Sequence, residues 1–183
     1  MEATLPRFEA MPLDRELVRD LRSDHAGESG AVTIYRGILA VSRDEGVRRF
    51  AREHMATELR HLAFFESWLP ARYRSALLPL WNASGFLLGA VAALLGPRWV
   101  YVTIDAVETF VVGHYQEQLD VLSGGDHSLL QLAEVLRGFQ QDEGHHRDDA
   151  ADRRGGGMTL PQKAWQALID YGSRAGVWVA RRV

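Results

Sequence analysis

Hydrophobic side chains recur three and four positions apart along most of the chain, as Leu132, Leu136 and Phe139 do. This spacing places them on one face of a helix and predicts amphipathic helices. Strands typically alternate hydrophobic and polar residues with a period of two, and no segment shows this alternation convincingly. The pattern indicates six helices, at about 14–41, 44–69, 77–95, 99–122, 126–154 and from 159 onwards.

Capping residues, glycines and prolines mark the ends of these helices. Asp44 is suited to cap the second helix, and Asp126 or Ser128 the fifth, because a side-chain oxygen there can accept hydrogen bonds from the first backbone amides. Thr159 and Gln162 have the spacing of a capping box at the start of the sixth helix. The residues that end helices are Pro70, Gly96–Pro97, Gly124–Gly125 and the glycines at 155–157.

The short connections between these helices favour antiparallel neighbours in a bundle. The chain has 183 residues, of which 46% are hydrophobic, so it can form one core, and a second domain is not expected. We therefore predict an all-α protein with a single domain over residues 1–183. The first 14 residues lack the pattern of a signal or transit peptide, which favours a cytoplasmic location.

Charge and cysteine content limit the chemistry. The formal net charge is −3, which does not favour a nucleic-acid partner. The sequence contains no cysteine, so disulfides, thiolate metal sites and thiol nucleophiles are excluded. Any metal ion must therefore be bound by oxygen and nitrogen atoms.

A weak internal repeat supplies such atoms. A single glutamate on one helix is followed by Glu-x-x-His on another, and this order occurs twice. Each glutamate falls on the apolar stripe of its helix, where a carboxylate is expensive to bury. The candidate metal ligands are Glu28, Glu58, His61, Glu108, Glu143 and His146.

Two divalent ions would remove the cost of burying four carboxylates together, because their charge balances the four negative charges. This is the ligand set of ferritin-like di-metal bundles, in which two helices give one glutamate and two give Glu-x-x-His. It predicts a ferritin-like four-helix bundle with two additional hydrophobic helices, and iron or manganese rather than structural zinc. The alternative is that these glutamates lie at the solvent edges of their stripes.

The stretch "DEGHH" offers two overlapping pairs, of which Glu143 and His146 continue the Phe139 stripe. Asp142 would then accept a hydrogen bond from a ligand histidine, or alternatively be a solvated acid. His145 would point about 100° away around the helix.

Other polar residues near the proposed ligands are predicted to support them or to be satisfied core residues. This group consists of His114, Tyr115, Asp24 and His25. His54 and His127 are interpreted as surface residues.

The third helix lies in an uncharged run of 23 residues, 75–97. Its length would span a bilayer, but Pro79, Asn82 and several glycines weaken that interpretation. We expect it to pack on the bundle and dip into one leaflet. The alternatives are burial in a subunit interface through Gly85-x-x-x-Gly89 and true spanning.

The last helix ends with an aromatic residue, Trp178, followed closely by two arginines, Arg181 and Arg182. This combination fits an anchor at the membrane interface.

Four segments together resemble one family, the demethoxyubiquinone hydroxylases, which are ferritin-like di-iron monooxygenases of ubiquinone biosynthesis. They are "DHAGESGA" around Glu28, "LPLWNASGFLLGAVAALLG" in the third helix, "AVETFVVGHYQEQL" around Glu108 and "DEGHH" around Glu143. The similarity extends from about residue 17 to the C-terminus. Gly113 and Gly144 depart from the family pattern without touching a proposed ligand.

The resemblance implies a function. Two iron ions would use O₂ to hydroxylate the ring of a prenylated methoxy-benzoquinol, and NADH, the quinol or a partner would supply electrons. It implies peripheral attachment to the cytoplasmic face of the inner or cell membrane, through the third and last helices. A homodimer and contacts with other quinone-biosynthesis proteins are further expectations. The competing hypotheses are a ferritin-like iron-oxidising or iron-storage protein and a helical scaffold without metal.

Overall fold

The computed structural model describes residues 5–183 and confirms the all-α class, with no strand in that part of the chain. Two 3-10 turns, Phe8–Ala10 and Ala71–Tyr73, flank the first helices. The six α-helices are α1 (Arg15–Val41), α2 (Glu45–Trp68), α3 (Leu78–Leu95), α4 (Pro97–Leu122), α5 (His127–Arg154) and α6 (Leu160–Ala180).

The predicted caps are confirmed. Asp44 Oδ1 accepts a hydrogen bond from the amide of Val47 at 2.8 Å, and Asp126, rather than Ser128, caps α5. Thr159 and Gln162 form the capping box of α6. The fourth helix begins two residues earlier than predicted, at Pro97, because proline has no amide hydrogen to satisfy and fits the first helical turn.

Two apolar clusters lie on opposite sides of a buried polar layer. On α1, Leu21 of one cluster precedes Glu28, and Tyr35 of the other cluster follows it. On α2 the order is reversed. Phe50, which precedes Glu58, belongs to the cluster of Tyr35, and Phe65, which follows Glu58, belongs to the cluster of Leu21. The same reversal relates α4 and α5. Neighbouring helices therefore run antiparallel, and each brings its polar residue to the same level.

Glycines bring α3 onto α1 of the same chain at very short range. A Cβ atom at Gly89 would collide with the carbonyl oxygen of Ile34, and one at Gly37 with the carbonyl oxygen of Phe86. A Cβ atom at Gly85 would lie 2.5 Å from the carbonyl oxygen of Gly30. The glycine pair predicted for a subunit interface thus serves packing within the chain.

The outer face of α3 stays exposed. Leu78–Leu95 is long and apolar enough to cross a membrane by length and composition, and only 17% of it is buried. Leu80, Leu87 and Leu94 are 52%, 61% and 73% exposed, and their spacing of seven residues places them on one side of the helix. Such a stripe is unusual for a helix in contact with water alone.

The last helix packs on α4, and Trp165 donates a hydrogen bond from Nε1 to Thr103 Oγ1 at 2.9 Å. Its C-terminal Arg181 forms an ion pair with Asp20 at 2.6 Å and contacts Glu16 on α1. Arg181 therefore links the end of α6 to α1 of the same chain.

Candidate metal centre

All six predicted ligands come together in the polar layer between the apolar clusters, and none is more than 4% exposed. Their ligand atoms form two groups, within each of which every pair lies no more than 4.8 Å apart. The first group comprises Glu28, Glu58, His61 and Glu143, and the second comprises Glu58, Glu108, Glu143 and His146. This burial contradicts the alternative in which the glutamates lie at solvent edges.

Two glutamates, Glu58 and Glu143, belong to both groups. His61 Nδ1 lies 2.9 Å from a Glu143 oxygen and 3.4 Å from Glu28. His146 Nδ1 lies 3.0 Å from Glu58 Oε1 and 3.0 Å from Glu143 Oε2. We define position 1 as the space between Glu28 and His61, and position 2 as the equivalent space near Glu108 and His146.

The protein alone leaves the donor atoms of this layer poorly satisfied. One oxygen of each of the four glutamates, together with Nδ1 of His61, is buried without a well-formed hydrogen bond. A buried polar atom without a partner costs about 1–3 kcal/mol, so these five converging atoms need compensation. Divalent cations provide it, because carboxylate oxygens and imidazole nitrogens are their usual ligands.

The ionisation of the layer reflects the same crowding. Burial raises the pKa of Glu28, Glu58 and Glu108 above that of a free glutamate. Burial alone would also raise the pKa of Glu143, but contacts with both histidines outweigh it and lower the pKa to about 2. Burial would lower the pKa of His61, yet Glu143 and Glu28 raise it to about 11. Without metal, bound protons therefore balance the carboxylates.

Two of the predicted supporting residues contact the ligands directly. Asp142 Oδ2 lies 3.0 Å from Nε2 of His61, the ring nitrogen that faces away from the layer. Tyr115 donates a hydrogen bond to Glu28 Oε1 at 2.5 Å. Burial raises the pKa of Tyr115 well above its ordinary value, so its hydroxyl stays protonated and remains a donor.

The other predicted supporting residues lie one layer further out. Asp24 accepts hydrogen bonds from His114 Nε2 at 3.0 Å and from Gln118 Nε2 at 2.8 Å, and contacts no proposed ligand. His25 is 1% exposed, and burial lowers its pKa to about 4. Gln118 was not foreseen, although its position three residues after Tyr115 places it on the same helix face.

The interpretation of His54 as a surface residue is wrong. It is 3% exposed and bonds to Asp149, which was also missed. The signal was present, because His54 lies four residues before Glu58 and therefore on the same face of α2. His127 is exposed as predicted, and so is His145, while Glu143 and His146 of "DEGHH" are buried.

The chain is similar to proteins of known families. Residues 15–180 match the family described as ubiquinone biosynthesis protein COQ7. The chain is 38% identical over 168 residues to the 3-demethoxyubiquinol 3-hydroxylase of Rhodospirillum rubrum, an alignment that covers 90% of this chain and 77% of the relative. It is 34% identical over 182 residues to the mitochondrial NADPH-dependent 3-demethoxyubiquinone 3-hydroxylase of Dictyostelium discoideum, covering 98% and 83% respectively. The mitochondrial 5-demethoxyubiquinone hydroxylase of Saccharomyces cerevisiae is 31% identical over 183 residues, covering 91% and 78%.

Proposed function

The chain belongs to the COQ7 family of ubiquinone biosynthesis proteins, and from this premise we propose that it is a di-iron monooxygenase that hydroxylates demethoxyubiquinol, a prenylated methoxy-benzoquinol. Membership confirms the resemblance inferred from the four motifs. The observation that carries the proposal is the pair of four-residue ligand groups that share Glu58 and Glu143. The relatives are named hydroxylases, which does not favour the iron-storage alternative.

We propose that α1, α2, α4 and α5 form a ferritin-like four-helix core within one domain of residues 1–183, with α3 and α6 added outside it. Each of these four helices contributes one glutamate to the layer, and α2 and α5 each add a histidine three residues further on. This is the distribution of ligands in ferritin-like di-metal proteins.

The donor set fits two iron ions. Glu28 and His61 would bind one ion at position 1, Glu108 and His146 the other at position 2, and Glu58 and Glu143 both. Six oxygen and nitrogen residues without a thiolate suit iron or manganese. When bound, the ions would supply the two-electron reduction and activation of O₂.

The reaction balances with one external reductant. A ring C–H, O₂, two electrons and two protons become a ring C–OH and one water molecule. The chain's own residues hold the site in shape: Tyr115 fixes one oxygen of Glu28, and Asp142 orients His61. The ring of Phe139 stacks on His61 with centroids 4.1 Å apart. This apolar cover helps to exclude water from the reacting groups.

Gene deletion tests the reaction. Deletion of this gene in its host should cause demethoxyubiquinone to accumulate, wild-type protein should clear it, and the Glu108→Ala variant should not. The new ring hydroxyl should carry ¹⁸O when ¹⁸O₂ is supplied, as mass spectrometry of the extracted quinone would reveal. Label from water, or quinone levels that do not change on deletion, would refute the monooxygenase assignment.

A reduced pyridine nucleotide is the proposed electron donor, as the relatives' names suggest. A cleft of about 450 Å³ between α1, α4 and α6 is lined by four arginines and three carboxylates, and Arg174 is paired with Asp170. The lining includes Arg19, Arg174, Arg181, Arg182, Glu16, Glu117, Asp170, Trp178 and His114. Arginines suit phosphates, and an aromatic ring suits a nicotinamide or adenine ring. Oxidation of NADPH or NADH coupled to hydroxylation, and its loss in Arg174→Ala, would support this assignment.

The exposed stripe of α3 supports peripheral attachment to the cytoplasmic face of the inner or cell membrane. Wild-type protein should float with anionic lipid vesicles. The double variant Leu87→Glu/Leu94→Glu should bind about 100-fold more weakly or worse, because burying each leucine contributes about 1.5–3 kcal/mol. Val121→Glu, at a residue that is 72% exposed on α4, is the matched control and should bind normally. Protease protection of one terminus in sealed vesicles would show spanning instead.

The effect of metal on stability should grow with pH. Glu28, Glu58 and Glu108 have raised pKa values in the folded metal-free protein. Their contribution to its stability is therefore full below about pH 4.5, the unfolded pKa, and is lost as pH rises through the folded pKa values. His61 acts in the same direction, with a contribution that is lost as pH rises from about 6.5 towards 11.

Metal ions replace those protons, so binding tightens as pH rises. The difference in melting temperature between Fe(II)-loaded and metal-free protein, measured anaerobically, should therefore increase from pH 6 to pH 8. Glu143 affects stability in the opposite direction: its contribution is lost as pH falls from about 4.5 to about 2, which lies outside the range from pH 6 to pH 8. A difference that stays constant with pH would contradict the assignment of these carboxyls as metal ligands.

The homodimer and the contacts with other quinone-biosynthesis proteins remain predictions. Size-exclusion chromatography with light scattering in mild detergent would measure the first directly.

A further inference from the structure

The two proposed ligand histidines are supported in different ways. The outward nitrogen of His61 has a direct carboxylate partner, Asp142, at 3.0 Å. His146 turns Nδ1 into the layer, and within residues 5–183 no hydrogen bond reaches its other ring nitrogen. Its ring instead meets that of His54, with centroids 4.3 Å apart and planes at 86°. An edge-to-face contact of this kind restricts how the His146 ring can turn.

His54 is itself fixed from the outside. Its Nε2 lies 2.9 Å from Asp149 Oδ2, and the other oxygen of Asp149 accepts a hydrogen bond from Arg153 Nε at 2.7 Å. The ring of Phe50 packs against His54 with centroids 4.3 Å apart, and Tyr35 stacks on it at 6.3 Å. A chain of contacts therefore leads from the partly exposed Asp149 on α5, through His54 on α2, to His146.

Buried polar side chains normally have a hydrogen-bond partner, so it is the contact with the His146 ring, rather than the bond to Asp149 alone, that connects His54 to the polar layer. In metal sites, a carboxylate that orients a ligand imidazole typically contributes a factor of about 10–100 in metal affinity. Asp142 can do this for His61 directly. Asp149 can do it for His146 only through the ring of His54.

We propose that His54 and Asp149 are positioning residues for His146 and therefore determine metal affinity at position 2, whereas Asp142 does so at position 1. This inference rests on the proposed di-metal centre. The two positions are then chemically different: one ligand imidazole is polarised by a carboxylate, and the other is held by ring contact.

Stepwise Co(II) binding tests the inference, because visible absorption and calorimetry count the ions and give a dissociation constant for each. His54→Phe keeps an aromatic ring but removes the bond to Asp149. It should weaken one of the two ions by about 10–100-fold and leave the other unchanged. Asp142→Ala should weaken the other ion, and the double variant should weaken both.

Further variants separate this role from a purely structural one. Asp149→Ala alters a side chain that is 23% exposed, so it tests the same contact even if His54→Phe fails to fold. His54→Gln retains an N–H donor for Asp149 but has no ring to contact His146, so it should weaken the same ion as His54→Phe. Asp148→Ala, at the exposed neighbour, is the control and should bind both ions normally.

Two results are decisive in different ways. Normal binding of two ions by Asp149→Ala, or equal weakening of both ions, would overturn the inference and leave the di-metal centre standing. Binding of fewer than two ions by the wild-type protein would overturn the proposed centre itself.

Discussion

Replacing Glu143 with alanine should remove both metal ions and abolish hydroxylation. Glu143 belongs to both ligand groups and lies within about 3 Å of His61 and of His146, so its loss opens both positions at once. The loss of affinity should exceed the factor of about 10–100 expected for a supporting residue such as Asp142. Anaerobic iron loading followed by elemental analysis measures it, with quinone hydroxylation measured in parallel.

The matched control is Glu134→Ala, which removes an exposed carboxylate from the same helix and should retain two irons. Circular dichroism must establish that Glu143→Ala is folded, because the residue also balances the charge of two imidazoles. Retention of two tightly bound irons would contradict the shared role of Glu143. Iron loss in His145→Ala but not in His146→Ala would instead show that the register of "DEGHH" is displaced by one residue.

Replacing Gly89 with alanine should displace α3 and destabilise the protein by about 3 kcal/mol or more. The added Cβ atom would collide with the backbone of Ile34, which cannot rotate aside as a flexible side chain can. For a chain of this size that loss lowers the melting temperature by roughly 6–12 °C. Thermal unfolding in mild detergent measures it, and weakened vesicle binding should accompany it because the stripe of α3 is then misplaced.

Gly138→Ala is the control for helical propensity. Gly138 lies in α5 with open space around it, so alanine should stabilise the protein by about 1 kcal/mol through the helix backbone. Equal stability changes in the two variants would show that α3 does not pack on α1 as closely as described.

Features that depend on neighbours in sequence could be predicted closely. Helix caps at Asp44 and Thr159 involve contacts only three residues apart, and these formed as expected. The position of the polar layer along each helix could also be predicted from the sequence. A glutamate on the apolar stripe of an amphipathic helix shares its helix face with hydrophobic residues, and that face normally packs against the core.

Features that depend on which helix packs against which could not be predicted in the same way. The burial of His54 could be inferred from its place four residues before Glu58, but its partner could not, because only the packing of α2 on α5 brings Asp149 to it. Similarly, Gly85 and Gly89 indicated a close approach without naming the partner, which is α1 of the same chain.

The sequence by itself determined six helices, their caps, the absence of thiolate chemistry and the six residues of the polar layer. Only the tertiary structure decided that Glu58 and Glu143 are shared between two groups. It also decided that Asp142 bonds to His61 and that the ring of His54 packs against that of His146. The reason is physical: periodicity and capping arise from contacts within one turn of a helix. Sharing a ligand requires atoms from three or four helices to meet, which depends on interhelical packing that no local pattern encodes.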